Sequence, residues 1–571
     1  MQKIENEKLI ARLVASTLFA VTIVVFTQSV TDPVNVTKFF VLGALAFATA
    51  GAALRSFNFQ FAKENRAGLV TLVLFLVFSI STLVASNAPL SQSLYGVYGR
   101  NNGFLLYLLL GLLFITTLTI TNQNLFRKYL VALSLAGVVN VIYALWVMAF
   151  GDFIGWNNPY GNLLGTLGNP NFIGSFFGMF SALLFTILSS RLESKNLRIG
   201  ALILLPLVFL GIVDSHAVQG KVLFVAGAGI VIFFWIRDRF SSNWLSLSYL
   251  AVAFIGFILS LLGTLQKGPL ADVLYKGTVS LRGEYWYAGW MTGLANPIFG
   301  AGFDSYGDWY RRSRRESALS FPGVDTITNA AHNVYLDIFA FGGWPLLISY
   351  GLLVLLTVTS IVKFTIRNRN FDPIFVSLTS VWTCYQLQST ISINQIGLAV
   401  WGWAFGAAII AYERNDRKKA VFETLASNTV RNGRNLHRRQ SQESVFSPIL
   451  IAGLASVLGM IIAVPPLSAD MKWQEAQKSQ DANRLAALVT PSYLNPINSF
   501  ELANIVGVFE SNNLGEMAHK VALEAVKFNP NSFESWRNLS LLSKSTEAEK
   551  ALAFSNMKRL DPLNLTIGAT K

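Results

Sequence analysis

Apolar runs of about bilayer-spanning length recur along this chain, and that recurrence constrains its fold more than any other feature. A helix needs roughly 20 consecutive apolar residues to cross the hydrocarbon layer, where every backbone amide must be paired within the protein. The runs are 10–30, 38–57, 67–85, 104–121, 130–150, 172–190, 199–213, 222–236, 244–265, 334–362, 373–391, 396–412 and 445–464. With 53% apolar and only 13% charged residues over 571 positions, the composition is not that of an ordinary soluble protein. The expectation is an all-α, polytopic helical membrane protein of about 12–13 spans, with a large outer-face loop and a small helical-repeat domain outside the membrane. Residues 1–12 carry charges of both signs and lead straight into the first run, so no cleavable signal peptide is expected. The single cysteine, Cys384, lies inside an apolar run, which excludes intrachain disulfides and cysteine metal sites.

Lysine and arginine fix the expected orientation. With the N-terminus in the cytoplasm and thirteen crossings, the inner segments hold 24 basic residues, among them Lys8, Arg55, Arg127, Arg198, Arg237, Arg367 and Arg414. The short outer segments hold 3: Lys38, Arg100 and Lys221. Cytoplasmic loops carry the excess of positive charge, so this orientation is favoured. The net charge of +14 therefore points to membrane topology, and no nucleic acid partner is expected.

The expected organisation is an N-terminal transmembrane bundle over 1–265, an outer-face loop over 266–331, and spans completing the bundle over 332–413. A basic cytoplasmic loop over 414–444 suits contact with anionic headgroups. A last span over 445–465 precedes an outer-face helical tail over 466–571. In the tail, Asn495-Pro496, Asn529-Pro530 and Asp561-Pro562 recur at close to the 34-residue period of a helix-turn-helix repeat, with Ala518, Ala522, Ala525 and Val526 at helical spacing between them. This resembles a short tetratricopeptide-type array; an ordinary helical tail with Asn-Pro turns is the alternative.

The 266–331 loop holds the polar chemistry. It is long enough to be exempt from the charge rule, so its arginines are not there for topology. Thr328 and Asn329 are expected N-caps for the helix entering the tenth run, which would put His332 in the first turn. There the helix dipole disfavours imidazolium, and a general base must start neutral; the alternative is a polar interface residue that caps the helix. Arg282 opens a stretch in which Tyr285, Trp286, Gly289, Trp290 and Gly293 share a helical face, as in a helix lying along the membrane surface. Its guanidinium can fork onto a phosphate or carboxylate, or snorkel and pair with Glu284. Arg311, Arg312, Arg314 and Arg315 either gather a polyanion or bind headgroups. Arg100, Lys221 and His216, in or beside short outer segments, are candidates for contacting an anion, Lys221 with Asp214 as its alternative partner. Gly168-Asn169-Pro170-Asn171 reads as a structural turn, the alternative being that its amides hydrogen-bond sugar hydroxyls. There is no phosphate-binding Gly-rich loop ending in Lys-Ser or Lys-Thr, no outer Asp-x-Asp pair for a metal-held diphosphate and no nucleophile elbow.

Several of these pieces, in their order, resemble the O-antigen ligase and O-antigen polymerase family. They are Arg282 with Trp286; Asn296-Pro297-Ile298-Phe299-Gly300-Ala301-Gly302 with Tyr306; His332-Asn333-Val334-Tyr335-Leu336 with Phe341-Gly342-Gly343; and, less specifically, Tyr95-Gly96 to Gly103 and the Gly168 turn. That family acts on polyprenyl-diphosphate-linked glycans at the outer face of bacterial inner membranes. The resemblance implies a metal-independent glycosyltransferase without a cofactor. Arg282 would hold the diphosphate, His332 would serve as base, and Asn333, Arg100, Lys221, His216 and the four clustered arginines would contact diphosphate or glycan. In the family, Ser-Arg-Gly often stands where this chain has Val218-Gln219-Gly220-Lys221, so a lysine point charge would replace a forked guanidinium. Expected partners are the lipid-linked donor, a glycan, lipid, wall-polymer or protein acceptor, membrane lipids, and a protein partner through the tail. The rival reading is a transporter or flippase without transferase activity, although no internal repeat is evident in the membrane part. A noncatalytic assembly scaffold using the tail is a third.

Overall fold

The structure, a computed structural model, describes residues 2–156, 158, 161–274, 277–429, 447–479 and 481–567. Every marked apolar run becomes a helix. Among the described residues, 10 helices are long and apolar enough to cross a membrane. The remaining runs correspond to Gln2–Ile23, Phe104–Leu118 and Pro373–Ser389, which are shorter or charged at one end. All three sit inside the bundle: Gln2–Ile23 packs on Asn35–Ala53 and Arg127–Phe150, Phe104–Leu118 on Ile396–Thr429, and Pro373–Ser389 on Pro170–Ser189. Protein neighbours cover their sides, so they need no full-length lipid-facing surface.

Loop contacts sort into two ends. At one, Glu7 accepts hydrogen bonds from Thr121, Arg367 pairs with Glu413 and Asp416, and Arg369 donates to Asn243. At the other lie the 24–34 and 95–103 segments, the Gly168 turn, the 266–333 region and the tail. This arrangement is what helices running alternately between two ends produce. Lys38, counted above as an outer charge, is instead buried and donates to the carbonyls of Val21, Thr22 and Val24, the unpaired oxygens at the end of the first helix.

The 414–444 segment is only partly the solvated loop expected. The Ile396–Thr429 helix continues into its first part, where Arg414 is buried and caps the Leu118 and Ile120 carbonyls. Arg431, Arg434, Arg438 and Arg439 lie outside the described residues. The last span likewise overruns its expected end. Pro448–Ser479 is one helix, packed through Gly459 on Gly43 so closely that a Cβ at Gly459 would lie 2.2 Å from the Gly43 carbonyl oxygen. Its far end carries Trp473 and Ala476 into the core of the tail. This seats the tail beside the 24–34 turn, where the Thr31 and Asp32 amides donate to Asp470.

The tail itself is two successive helix pairs, Ser499–Ser511 with Gly515–Phe528 and Phe533–Leu541 with Glu547–Leu560. Ala518, Ala522 and Ala525 are buried, as their spacing predicts.

Candidate active site

Two sequence motifs build the platform of the site by interlocking their backbones. The Ala301 and Gly302 amides donate to the carbonyls of Ala340 and Phe341, and Trp344 N donates to Pro297 O at 2.8 Å. These bonds hold a kink at Gly342 and Gly343 inside the Val334–Arg367 helix. No side chain fits between the strands of this lock: a Cβ on Gly300 would lie 1.9 Å from the Phe341 oxygen, and one on Gly343 2.3 Å from the Pro297 oxygen. Both glycines have positive φ, 69° and 64°.

Just beyond this platform, Asp304 holds a second loop in place. Its Oδ2 accepts from Val97 N at 2.8 Å and Asn102 N at 3.3 Å, while Gln92 ties the same loop to Ser305 and Asp308. Burial raises the Asp304 carboxyl to about 6, partly offset by these two amides. The loop so held carries Arg100.

Arg100, Arg282 and His332 line one cavity of about 370 Å³. Arg282 comes from the Gly277–Ala295 helix, which packs Gly289 and Gly293 against Ala331 and Phe339. His332 precedes the next helix with φ 54°. The cap of that helix is Asn333, not Thr328 or Asn329: its Oδ1 accepts from Tyr335 N and Leu336 N. His332 therefore lies outside the first turn, and a different environment keeps it neutral. Burial, then the charges of Arg282 and Arg100, lower its pKa to about 3. The Tyr285 ring stacks on the imidazole, centroids 5.6 Å apart, and Tyr306 fixes that segment by donating to Tyr285 O at 2.9 Å.

The other candidate residues fall elsewhere. Asn333 uses its oxygen as the cap and donates its amide to Thr390 O, so it braces the site rather than lining the cavity. Arg311 and Arg314 are buried and paired with the tail: Arg314 Nη2 donates to both Asp561 oxygens at 2.7 and 2.8 Å, and Arg311 reaches Asp561 and Glu534, both at 3.2 Å. Arg312 lies over the Trp309 ring and donates to Asn531 of the tail. Arg315 forks onto Glu284, the partner considered above for Arg282. Three of the four arginines thus meet the protein's own tail, Arg311 and Arg314 through its carboxylates and Arg312 through Asn531, while Arg315 pairs with Glu284. Lys221 and His216 are exposed and do not line the cavity; His216 Nδ1 is 2.8 Å from Asp214 O.

The cavity is also lined by Asn169, of the turn whose amides could meet sugar hydroxyls, by Asn329, expected only as a cap, and by Ser392, which no sequence pattern singles out. Asn169 also accepts from Asn171 N as a helix cap, so the turn is structural and still presents a polar residue to the site. The cap pattern was the signal available.

Residues 201–351 match the family model described as O-antigen ligase. The matched stretch is similar to that family, whose model covers less than half of the chain. The matched segment contains Arg282, both interlocked motifs and His332, but not Arg100, Asn169 or the tail. Among curated proteins none matches the chain.

Proposed function

We propose that this protein transfers a glycan from a polyprenyl-diphosphate carrier to an acceptor hydroxyl at the outer face of a bacterial cytoplasmic membrane. The observation that carries the reading is the meeting of Arg100, Arg282 and His332 around one cavity. Arg282 and Arg100 bind the diphosphate. A cation about 4 Å from a phosphate charge contributes roughly 4 kcal/mol at an effective dielectric near 20, and the contribution grows as the leaving group gains charge. Guanidinium groups thus do the charge work in this scheme, without a metal ion.

His332 is the base. The acceptor oxygen forms a bond to the anomeric carbon, the bond from that carbon to the phosphate oxygen breaks with its electron pair going to the diphosphate, and the hydroxyl proton passes to the imidazole. Burial, and after it two nearby guanidinium charges, make the free imidazole a poor proton acceptor. A bound diphosphate cancels their field, so donor binding raises the basicity of His332 when it is needed.

The orientation proposed puts the N-terminus in the cytoplasm and the tail outside, since Arg127, Arg237, Arg367 and Arg414 gather at the end opposite the cavity. Purified protein supplied with a polyprenyl-diphosphate oligosaccharide and candidate acceptors should release polyprenyl diphosphate. His332→Ala should lower turnover by about 10² to 10⁴, and Arg282→Ala should weaken donor binding, with membrane insertion preserved in both. Full turnover in the two variants, or reporter fusions placing His332 in the cytosol, would remove this reading.

A further inference from the structure

A second, larger cavity opens from the first. It measures about 770 Å³, within the range of roughly 300 to 1,000 Å³ typical of ligand sites. The two cavities share Arg100, Asn169, Phe172 and Asn329, but His332 and Arg282 line only the smaller. The walls of the larger one come from the 27–35 turn, from Trp156, and from Gln474, Gln477 and Lys478 on the far end of the Pro448–Ser479 helix.

These walls have a consistent chemistry. Asp32 is buried, and its Oδ1 accepts from Val34 N and Asn35 N, while Oδ2 has no partner among the described residues. A buried carboxylate oxygen without a donor is costly, and a ligand hydroxyl or amide N–H would satisfy it. Gln474 donates its amide to Val30 O and keeps its carbonyl for a ligand. Trp156 is tethered through Nε1 to Asp152 at 2.8 Å, which fixes its ring. A tethered indole with amides and an unpaired carboxylate suits a saccharide, whose rings offer an apolar face and a rim of hydroxyls. Arg100, shared by both cavities, favours a phosphate at their junction.

We infer that the larger cavity binds the first sugars of the lipid-borne glycan, the diphosphate lying at Arg100 on the threshold between the two cavities. The inference rests on the glycosyl-transfer reading and extends it to Asp32, Trp156 and Gln474, all outside the segment that matches the family. The donor glycan is favoured over the acceptor glycan because the larger cavity adjoins Arg100 and not His332.

Gly155 allows a test that leaves the smaller cavity intact. It borders the larger cavity, nothing lies within 4 Å of where its Cβ would stand, and its φ is outside the left-handed region. Among the described residues, Gly155→Trp therefore adds an indole at the border of the larger cavity without a backbone clash. Full-length protein in detergent is titrated with undecaprenyl diphosphate and, separately, with undecaprenyl-diphosphate-N-acetylglucosamine. The wild type should bind the sugar-bearing carrier more tightly, and Gly155→Trp should weaken that carrier at least ten-fold while leaving the sugar-free carrier unchanged. Asp32→Asn, which keeps the Oδ1 acceptor, should shift binding in the same direction. Equal binding of the sugar-bearing carrier by wild type and Gly155→Trp overturns the inference. So does a rise in acceptor KM with donor binding unchanged, which would assign the cavity to the acceptor. Failure of the wild type to bind the sugar-free carrier counts against the diphosphate reading instead, and the effect of Gly155→Trp on the sugar-bearing carrier still decides the cavity.

Discussion

His332 shows how a single side chain is set by what surrounds it rather than by its place in the helix. Its pKa of about 3 has burial as the first cause and the Arg282 and Arg100 charges as the next. The sign follows directly. The folded chain binds its proton more weakly than the unfolded chain, so the stabilisation from neutral His332 is complete above pH 6.5 and is lost as pH falls toward 3. Histidine-selective NMR titration can separate this residue, since the chain has only 4 histidines. The His332 resonance should titrate well below pH 6.5, move upward in Arg282→Gln, and move upward again when undecaprenyl diphosphate is added to the wild type. A midpoint near 6.5 that ignores both changes would mean the arginines do not face the imidazole.

At the scale of elements, the site depends on one backbone lock and one carboxylate-held loop. The lock explains why Asn296-Pro297-Ile298-Phe299-Gly300-Ala301-Gly302 and Phe341-Gly342-Gly343 both contribute to the resemblance, though they lie some 40 residues apart. Sequence alone offered the motifs but not their contact, because pairing between distant backbones leaves no periodic trace. The cap at Asn333 was misread for a related reason: Thr328, Asn329 and Asn333 are all good caps, and only the positive φ at His332 separates them. Gly343→Ala should be destabilising by about 2 kcal/mol or more, since it adds positive-φ strain of roughly 1 to 3 kcal/mol to overlap with the Pro297 oxygen. Thermal unfolding of the purified variant measures this. Gly351→Ala, at a position with open space around its Cβ, should leave the midpoint nearly unchanged.

The whole molecule adds what no local pattern could supply, the seating of the tail on the region that forms the site. The spans and the distribution of positive charge were legible because bilayer thickness and the positive-inside bias write themselves into single runs of sequence. The role of Arg311, Arg312 and Arg314 was not, since a basic cluster looks the same whether it awaits a ligand or meets acidic groups elsewhere in the chain. Here the third of the recurrent turns supplies the answer: Asp561 is fully buried against Arg311 and Arg314, and Glu534 adds a second carboxylate. The Tyr98 ring stacks on Phe500 of the tail at 4.8 Å, joining the Arg100 loop to the same contact. Removing one member of a buried ion pair leaves its partner charged and unpaired, at a cost of about 3 to 5 kcal/mol. Asp561→Ala should therefore loosen the tail from the Tyr306–Ser313 helix while the bundle stays folded. Hydrogen exchange should rise in that helix and in the 95–103 loop, with the contacts around Arg414 at the opposite end unchanged. Because the 95–103 loop carries Arg100, donor affinity should fall together with tail protection, even though Asp561 does not line the His332 cavity. Exchange confined to the tail, with unchanged donor binding, would show that the docked tail does not help to hold Arg100.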